Sequence, residues 1–337
     1  MSLLSKKIGI DLGTSTVLIY VKGEGIVVNE PSLVAVNRDG TRILAIGKQA
    51  FDMVGRAPDA IQIVRPMREG VIADLVVTEG MLHHLVGKVQ GRQRLFKPEI
   101  MVCVPSGVTS VERRAVTEAA ISAGARQAWL IDEPLAAAIG AGLPIAEPRG
   151  SAVCDIGGGT TEVAVISLSG MVVEHSIRVG GNRLDEAIAT YMKRRHDLLI
   201  GERTAEDAKI AAGSAVSMKQ PIFTEVRGRD IVTGLPKIVE VSSNEIAEAM
   251  QEPLRLIVGA IRDVLEETPP ELAADIFNRG IVLSGGGAQL RGIDRFVSMH
   301  TGIPALIADE PQTSVVRGTG LALENFEVLK RNQSYLR

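Results

Sequence analysis

The sequence predicts an α/β fold built of two duplicated domains. An internal echo is the first reason. Residues Ile8 to Val28 read IGIDLGTSTVLIYVKGEGIVV, and from Ala152 the chain reads AVCDIGGGTTEVAVISLSGMVV, which aligns Asp155 with Asp11 and Gly157 with Gly13. With one extra glycine allowed in the second copy, Thr160-Thr161 match Ser15-Thr16. The aspartates stand 144 positions apart, and a device repeated at that distance marks a duplicated domain. Both halves also share an order of elements, strands first and then helix and strand in alternation. Finally, 337 residues with 45% hydrophobic content can bury an ample core and divide naturally into two domains.

In the first half, Ile8 to Ile10 enter a β-hairpin, Asp11 to Thr16 form its tip, and Val17 to Val21 return with β-branched residues suited to a pleated surface. Asn29 to Pro66 is an extended stretch punctuated by Gly and Pro. A helical pattern covers Asp74 to Val89, and a short apolar strand, Ile100 to Val104, leads into Pro105-Ser106. Thr109 and Glu112 have the spacing of a capping box, so a helix starts there and stops at Gly124. Strand Ala128 to Ile131 then meets Asp132-Glu133-Pro134 and an alanine-rich helix.

The second half opens at Gly150 with the echoed hairpin, followed by helices at Asn182 to His196 and Thr204 to Ala212 and a polar hairpin at Phe223 to Val241. Ser242 and Glu245 form a second capping box, and Ile246, Met250, Leu254, Ile257, Ile261 and Leu265 recur with helical period, Pro253 predicting a kink. Strand Gly280 to Leu283 runs into Ser284-Gly285-Gly286-Gly287 and a helix. The resulting expectation is a first domain at 1–147 with an insert at about 34–67, and a second at 148–315 with an insert at about 182–244. The C-terminal helix, 316–337, returns to the first.

Composition narrows the function. Lys plus Arg number 37 and Asp plus Glu 40, a net charge of −3, and no basic run or aromatic-interleaved stripe would track a phosphate backbone, which argues against a nucleic-acid partner. Cys103 and Cys154 both sit in apolar strands, reading as buried thiols of a reducing compartment. Five scattered histidines, with His83-His84 on a helix, give no metal-binding spacing. MSLLSKK is followed by no apolar signal region, and nowhere do about 18 apolar residues run uninterrupted, so a cytoplasmic chain is expected.

Five segments carry chemistry. A Walker A loop needs a glycine five places before its Gly-Lys, where Gly47-Lys48 has Arg42 and Gly87-Lys88 has Leu82; Gly285-x-Gly287 and Gly23-x-Gly25 likewise miss the last glycine of a dinucleotide fingerprint. Instead there are two Asp-x-Gly hairpins, DLGTST and DIGGGTTE; two small-residue helices, LIDEPLAAAIGAG and VVRGTGLAL; and SGGGAQLRG, a strand-to-glycine-to-helix turn of the kind that accepts anions. Carboxylates at the two hairpin tips suit Mg²⁺, which prefers oxygen ligands and keeps several waters. Glycines beside them let a phosphate approach backbone N–H groups closely.

In this order the five segments resemble the actin, heat-shock chaperone and sugar-kinase ATPase superfamily, whose ribonuclease-H-like, actin-type domains enclose a nucleotide cleft. Within it, GIVVNEPS, RPMREGVIADL, VPSGVTSVERRA, IDEPLAAAIGAGLPI, IGERTAEDAKI, TPPELAADI and LSGGGAQLRG are similar to the MreB family of bacterial actin homologues, from residue 6 to about 325. Where that family usually reads DLGTAN, this chain has Ser15 and Thr16, hydroxyls that can still donate. The resemblance implies an ATPase that polymerises into membrane-associated filaments and organises cell-wall synthesis to set cell shape. ATP would lie between Gly13, Thr14, Ser15 and Thr16 on one side and Gly157, Gly158, Gly159 and Thr160 on the other. Asp11 and Asp155 would hold Mg²⁺ largely through water. Glu133 would orient the attacking water, with Asp132 the second choice; the plainer reading of Glu133 is a charge in the first turn of a helix. Glu202, Glu206 and Lys209 would border the adenosine, or simply form a solvated helix face, and Gly285, Gly286, Gly287 and Ala288 would complete that side.

Partners implied by the resemblance are further copies of the chain, the anionic inner face of the membrane, and membrane-bound wall-synthesis and cell-shape proteins. Leu95-Phe96, between Arg92, Arg94 and Lys97, is either a membrane-inserting pair or a staple tucked into the core. A small-molecule kinase of the same fold is the competing reading. A chaperone ATPase domain is disfavoured by the chain ending at Arg337.

Overall fold

Two five-stranded sheets of identical topology form the body of the molecule, a computed structural model that describes residues 5–91 and 97–326. In the first half the strands are β1 (Lys7–Leu12), β2 (Thr16–Val21), β3 (Gly25–Pro31), β4 (Val34–Asn37), β5 (Ile43–Ile46), β6 (Ile61–Val64), β7 (Met67–Arg68), β8 (Val71–Ile72), β9 (Glu99–Val104) and β10 (Gln127–Asp132). Its helices are α1 (Lys48–Phe51), α2 (Leu75–Gln90), α3 (Ser110–Ser122) and α4 (Glu133–Gly140). The second half holds β11 (Ser151–Ile156), β12 (Thr161–Ser167), β13 (Gly170–Ile177), β14 (Leu198–Leu199), β15 (Phe223–Asp230), β16 (Pro236–Ser242), β17 (Ile281–Ser284) and β18 (Ala305–Ile307). With them come α5 (Gly181–His196), α6 (Glu202–Ala212), α7 (Ser243–Glu267), α8 (Pro270–Arg279), α9 (Ile293–Thr301) and α10 (Ser314–Glu324).

Sheet order β10-β9-β1-β2-β3 is matched by β18-β17-β11-β12-β13. In each, the first three strands form an antiparallel meander and two parallel strands are added at its open edge. Helices α3 and α9 make the crossovers between those parallel strands, as parallel pairing requires. The duplication read from the two hairpins is therefore a duplication of whole sheets.

Register corrects two details. Asp11 and Asp155 are not at exposed tips: pairing runs on to Leu12↔Val17 and Ile156↔Thr161, so Asp11 lies within its strand opposite Leu18, and Asp155 opposite Glu162. Only Gly13 to Thr16 and Gly157 to Thr160 lie between those last pairs. The two turns are thus equally long and the repeat needs no extra glycine. Thr160 is the counterpart of Thr16, and Glu162 of Leu18.

Both capping boxes form: Thr109 accepts from the Glu112 N–H and Ser242 from the Glu245 N–H, each glutamate reaching back. Helix α7 continues through Pro253 as one element of 25 residues, its apolar stripe buried against the second sheet. SGGG does not open a long helix. Gly285, at φ +82°, turns the chain into a four-residue 3₁₀ segment, Gly286–Gln289, and α9 starts afresh at Ile293 after Gly292.

Separate apolar cores lie under each sheet, and a third joins them around α4 and α10. There Gly140 and Gly318 let two helix backbones touch: a Cβ at Gly318 would stand 1.8 Å from the Ala136 carbonyl oxygen, and one at Gly140 1.8 Å from that of Ser314. Neither backbone can withdraw without opening the joint between the halves. Replacing Gly318 by Val is expected to lower stability by roughly 3 kcal/mol or more, since overpacking at a backbone contact has no flexible side chain to yield. An unchanged thermal unfolding midpoint would refute this view of the crossing.

Candidate functional site

A cavity of about 490 Å³ opens between the two sheets, within the usual size of small-molecule sites. Both hairpin turns line it: Gly13, Thr14, Ser15 and Thr16 from one half and Gly157, Gly158, Gly159 and Thr160 from the other. The turns nearly touch. A Cβ at Gly158 would fall 2.1 Å from Ser15 Oγ and one at Gly159 2.5 Å from Thr14 Oγ1, so larger residues there would force the halves apart. Thr14 Oγ1 accepts from the Gly70 N–H at 3.1 Å, and Ser15 Oγ donates to Asn182 Oδ1 at 3.1 Å.

Asp11, Glu133 and Asp155 converge on the same cavity. Glu133 is placed by the β10-to-α4 transition, with Pro134 in the first helical turn where its missing N–H has no consequence. Among the described residues, Asp11, Cys103 and Glu133 have ligand atoms within 4.8 Å of one another, and the Cys103 thiol donates to Asp11 Oδ1 at 3.4 Å. Asp155 Oδ1 is buried without a hydrogen-bond partner. A buried, unpaired carboxylate oxygen beside other acids is the donor set a hard cation takes.

Burial pushes the Asp11 carboxyl up to about 6 and Asp155 to about 7, the latter held back partly by a hydrogen bond from Ser284. Glu133 lies well above the ordinary carboxylate range, first through burial and next through the charge of Glu162. Glu162 rises to about 7, again chiefly through burial. Each of these acids binds its proton more tightly folded than unfolded. Their contribution to stability is complete at low pH and is lost as pH rises through about 6 to 7. The ligand-free protein should therefore melt at progressively lower temperature between about pH 5 and pH 8, and Asp155→Asn should flatten that slope. A midpoint that is level or rising over the interval would count against the buried cluster.

On the opposite wall, Glu206 and Lys209 of α6 line the cavity, and Lys209 Nζ donates to Asp185 Oδ2 at 2.9 Å and to the Gly181 carbonyl at 3.2 Å. Gly285, Gly286 and Gly287 complete that wall. Three expected residues are placed elsewhere. Glu202, at the first turn of α6, does not line the cavity; it pairs with Arg65 at 2.6 Å, while its neighbour Arg203 stacks 4.6 Å over the Phe51 ring. Ala288 is fully buried in the second core rather than on the wall. Asp132 is held by Arg113 of α3 outside the cavity lining. Leu95 and Phe96 lie outside the described residues.

Sequence reasoning missed Glu162, Asp185 and Asn182. Only the break in the repeat, a glutamate where the first half has Leu18, could have flagged Glu162. The other two sit at helical positions with no motif around them.

Known proteins with this architecture decide the family. The model for MreB/Mbl protein matches residues 5–331. The chain belongs to the MreB/Mbl family. Cell shape-determining protein MreB of Escherichia coli (strain K12) is 52% identical over 331 residues, covering 97% of this chain and 95% of that protein. Cell shape-determining protein Mbl of Bacillus subtilis (strain 168) is 46% identical over 331 residues, covering 98% and 99%. Crystal structures of the MreB5 protein of Spiroplasma citri, bound to ADP and to AMPPNP, superpose with a TM-score of 0.92 at 39% identity. They cover 97% and 98% of this chain and 99% of each MreB5 chain. The fold of this MreB/Mbl chain is accordingly the two-domain, actin-type fold.

Proposed function

We propose that this chain is an actin-like ATPase that binds ATP with Mg²⁺ in the cleft, polymerises, and hydrolyses the nucleotide slowly on assembly. One observation carries the reading: two equivalent hairpin turns, from the two halves, meet across a cavity walled by buried carboxylates. MreB5, which shares the fold, is bound to ADP in one structure and to AMPPNP in another. Gly13 to Thr16 and Gly157 to Thr160 bind the β- and γ-phosphates through backbone N–H groups and hydroxyls. Asp11 and Asp155 would hold Mg²⁺, largely through water; when bound, the ion neutralises phosphate charge. Glu133 orients the attacking water. Glu206, Lys209 and the glycines at 285–287 border the adenosine, while the Arg65–Glu202 pair joins the two halves outside the cavity lining.

The domain boundary we assign, near 147/148, leaves Glu133 in the first domain and Asp155 in the second, so nucleotide sets the angle between them. A role in cell shape is supported by membership of a family whose MreB and Mbl members are named as cell shape-determining proteins, and filament growth is part of the same proposal. Among the described residues no helix is long and apolar enough to cross a membrane, and peripheral attachment at its inner face through Leu95-Phe96 is part of the same proposal. A small-molecule kinase needs a second substrate. Incubating the purified protein alone with Mg-ATP separates the two: steady formation of ADP and free phosphate in equal amounts supports the ATPase, and ADP formed only after a sugar or acid is added, with the phosphoryl group carried on that acceptor, overturns it.

A further inference from the structure

Glu162 breaks the internal symmetry of the fold. Its counterpart Leu18 is buried in the first half, whereas here a carboxylate with 0% exposure occupies the equivalent site. Burying a charge in place of a leucine is costly unless donors surround it. Three do. Ser176 Oγ of β13 donates to Oε1 at 2.7 Å, and Ser106 donates to Oε2 through its hydroxyl at 2.8 Å and its N–H at 3.4 Å. Ser176 belongs to the second half and Ser106 to the first, so this one carboxylate ties the two together.

What it ties is specific. Ser106 stands two residues beyond the last residue of β9, Val104, which pairs with Asp132, the residue before Glu133. The same turn is pressed onto the second half elsewhere: a Cβ at Gly107 would meet Ser176 Cβ at 3.1 Å, and one at Gly70 would meet both Pro105 and Thr160. Glu162 itself does not line the cavity. We propose that Glu162 is a positioning residue for hydrolysis: through Ser106 it holds the ends of β9 and β10, and with them Glu133, against the second half. The proposal rests on the ATPase reading for its kinetic consequence but not for the interdomain contact.

The test compares Glu162→Leu, which restores the residue of the first half, with Glu162→Gln, which keeps the acceptor for Ser106 and can donate to Ser176. Single-turnover phosphate release from Mg-ATP should fall at least ~10-fold in Glu162→Leu with ADP affinity within ~3-fold, a misplacement effect on the chemical step alone. Glu162→Gln should recover half of the rate or more. Parental release by Glu162→Leu, or Glu162→Gln no faster than Glu162→Leu, overturns the proposal. If Glu162→Leu fails to fold, Ser106→Ala removes one donor only and should slow release about 3-fold, parental speed being the contrary result. Hydrogen exchange keeps the two readings separable. If the parent protein releases no phosphate, the ATPase reading fails, yet amides at 99–107 and 127–133 should still exchange faster in the Glu162 or Ser106 variant, and unchanged exchange overturns the proposal.

Discussion

Glu133→Ala is expected to bind ATP nearly as well as the parent protein and to release phosphate at least ~100-fold more slowly, the share that a water-orienting group supplies in phosphoryl transfer. Binding should survive because the two glycine turns proposed to hold the phosphates, and Lys209 on the opposite wall, line the cavity independently of Glu133. Hydrolysis does not, because Glu133 is the cavity carboxylate delivered by a helix start, at a position where β10 and α4 fix its backbone. Truncation also removes a buried acid from a crowded cluster, so the variant should melt no lower than the parent at pH 8. Equal rates of phosphate release would remove Glu133 from the chemistry. A variant that fails to bind ATP would instead make it part of the binding wall.

Asp155→Ala is expected to lose Mg²⁺-dependent nucleotide affinity by ~10- to 100-fold or more, the effect of losing an oriented acceptor around a metal ion. The orphaned Asp155 Oδ1 and the elevated carboxyl, about 7, both describe a group waiting for a positive charge. Without nucleotide the same variant should be more stable than the parent at pH 8, because an uncompensated buried charge is gone. That rise in midpoint shows the loss of affinity is not unfolding. Calorimetry that gives the parental ATP affinity in the presence of Mg²⁺ would rule out the ion-holding role.

Much of this site was legible because backbone demands leave fixed residue types behind. Asp11, Gly13, Asp155 and Gly157 advertise the duplication through identical spacing, and Gly140 and Gly318 mark a helix crossing that admits no side chain. Thr109 and Ser242 start their helices where a capping box puts them. What escaped reading depended on direction rather than identity. Whether Asp11 sat at a tip or inside a strand turned on one more rung of pairing, and the same rung decides that Glu162 answers Leu18. Glu202, Glu206 and Lys209 share a helix, yet only the last two face the cavity, because Glu202 is drawn outward by Arg65. The pattern at Ser284 leads through three glycines straight into a helix, whereas Gly285 at positive φ makes a 3₁₀ turn instead.

The central expectation is that nucleotide in this cleft drives the chain to assemble. Purified protein should remain in the supernatant on ultracentrifugation without nucleotide, and should pellet, with rising light scattering, once Mg-ATP is added. Phosphate release should follow assembly rather than precede it, and Asp155→Ala should neither scatter nor pellet. Protein that stays in the supernatant with Mg-ATP while turning over ATP only in the presence of a sugar or acid would contradict it.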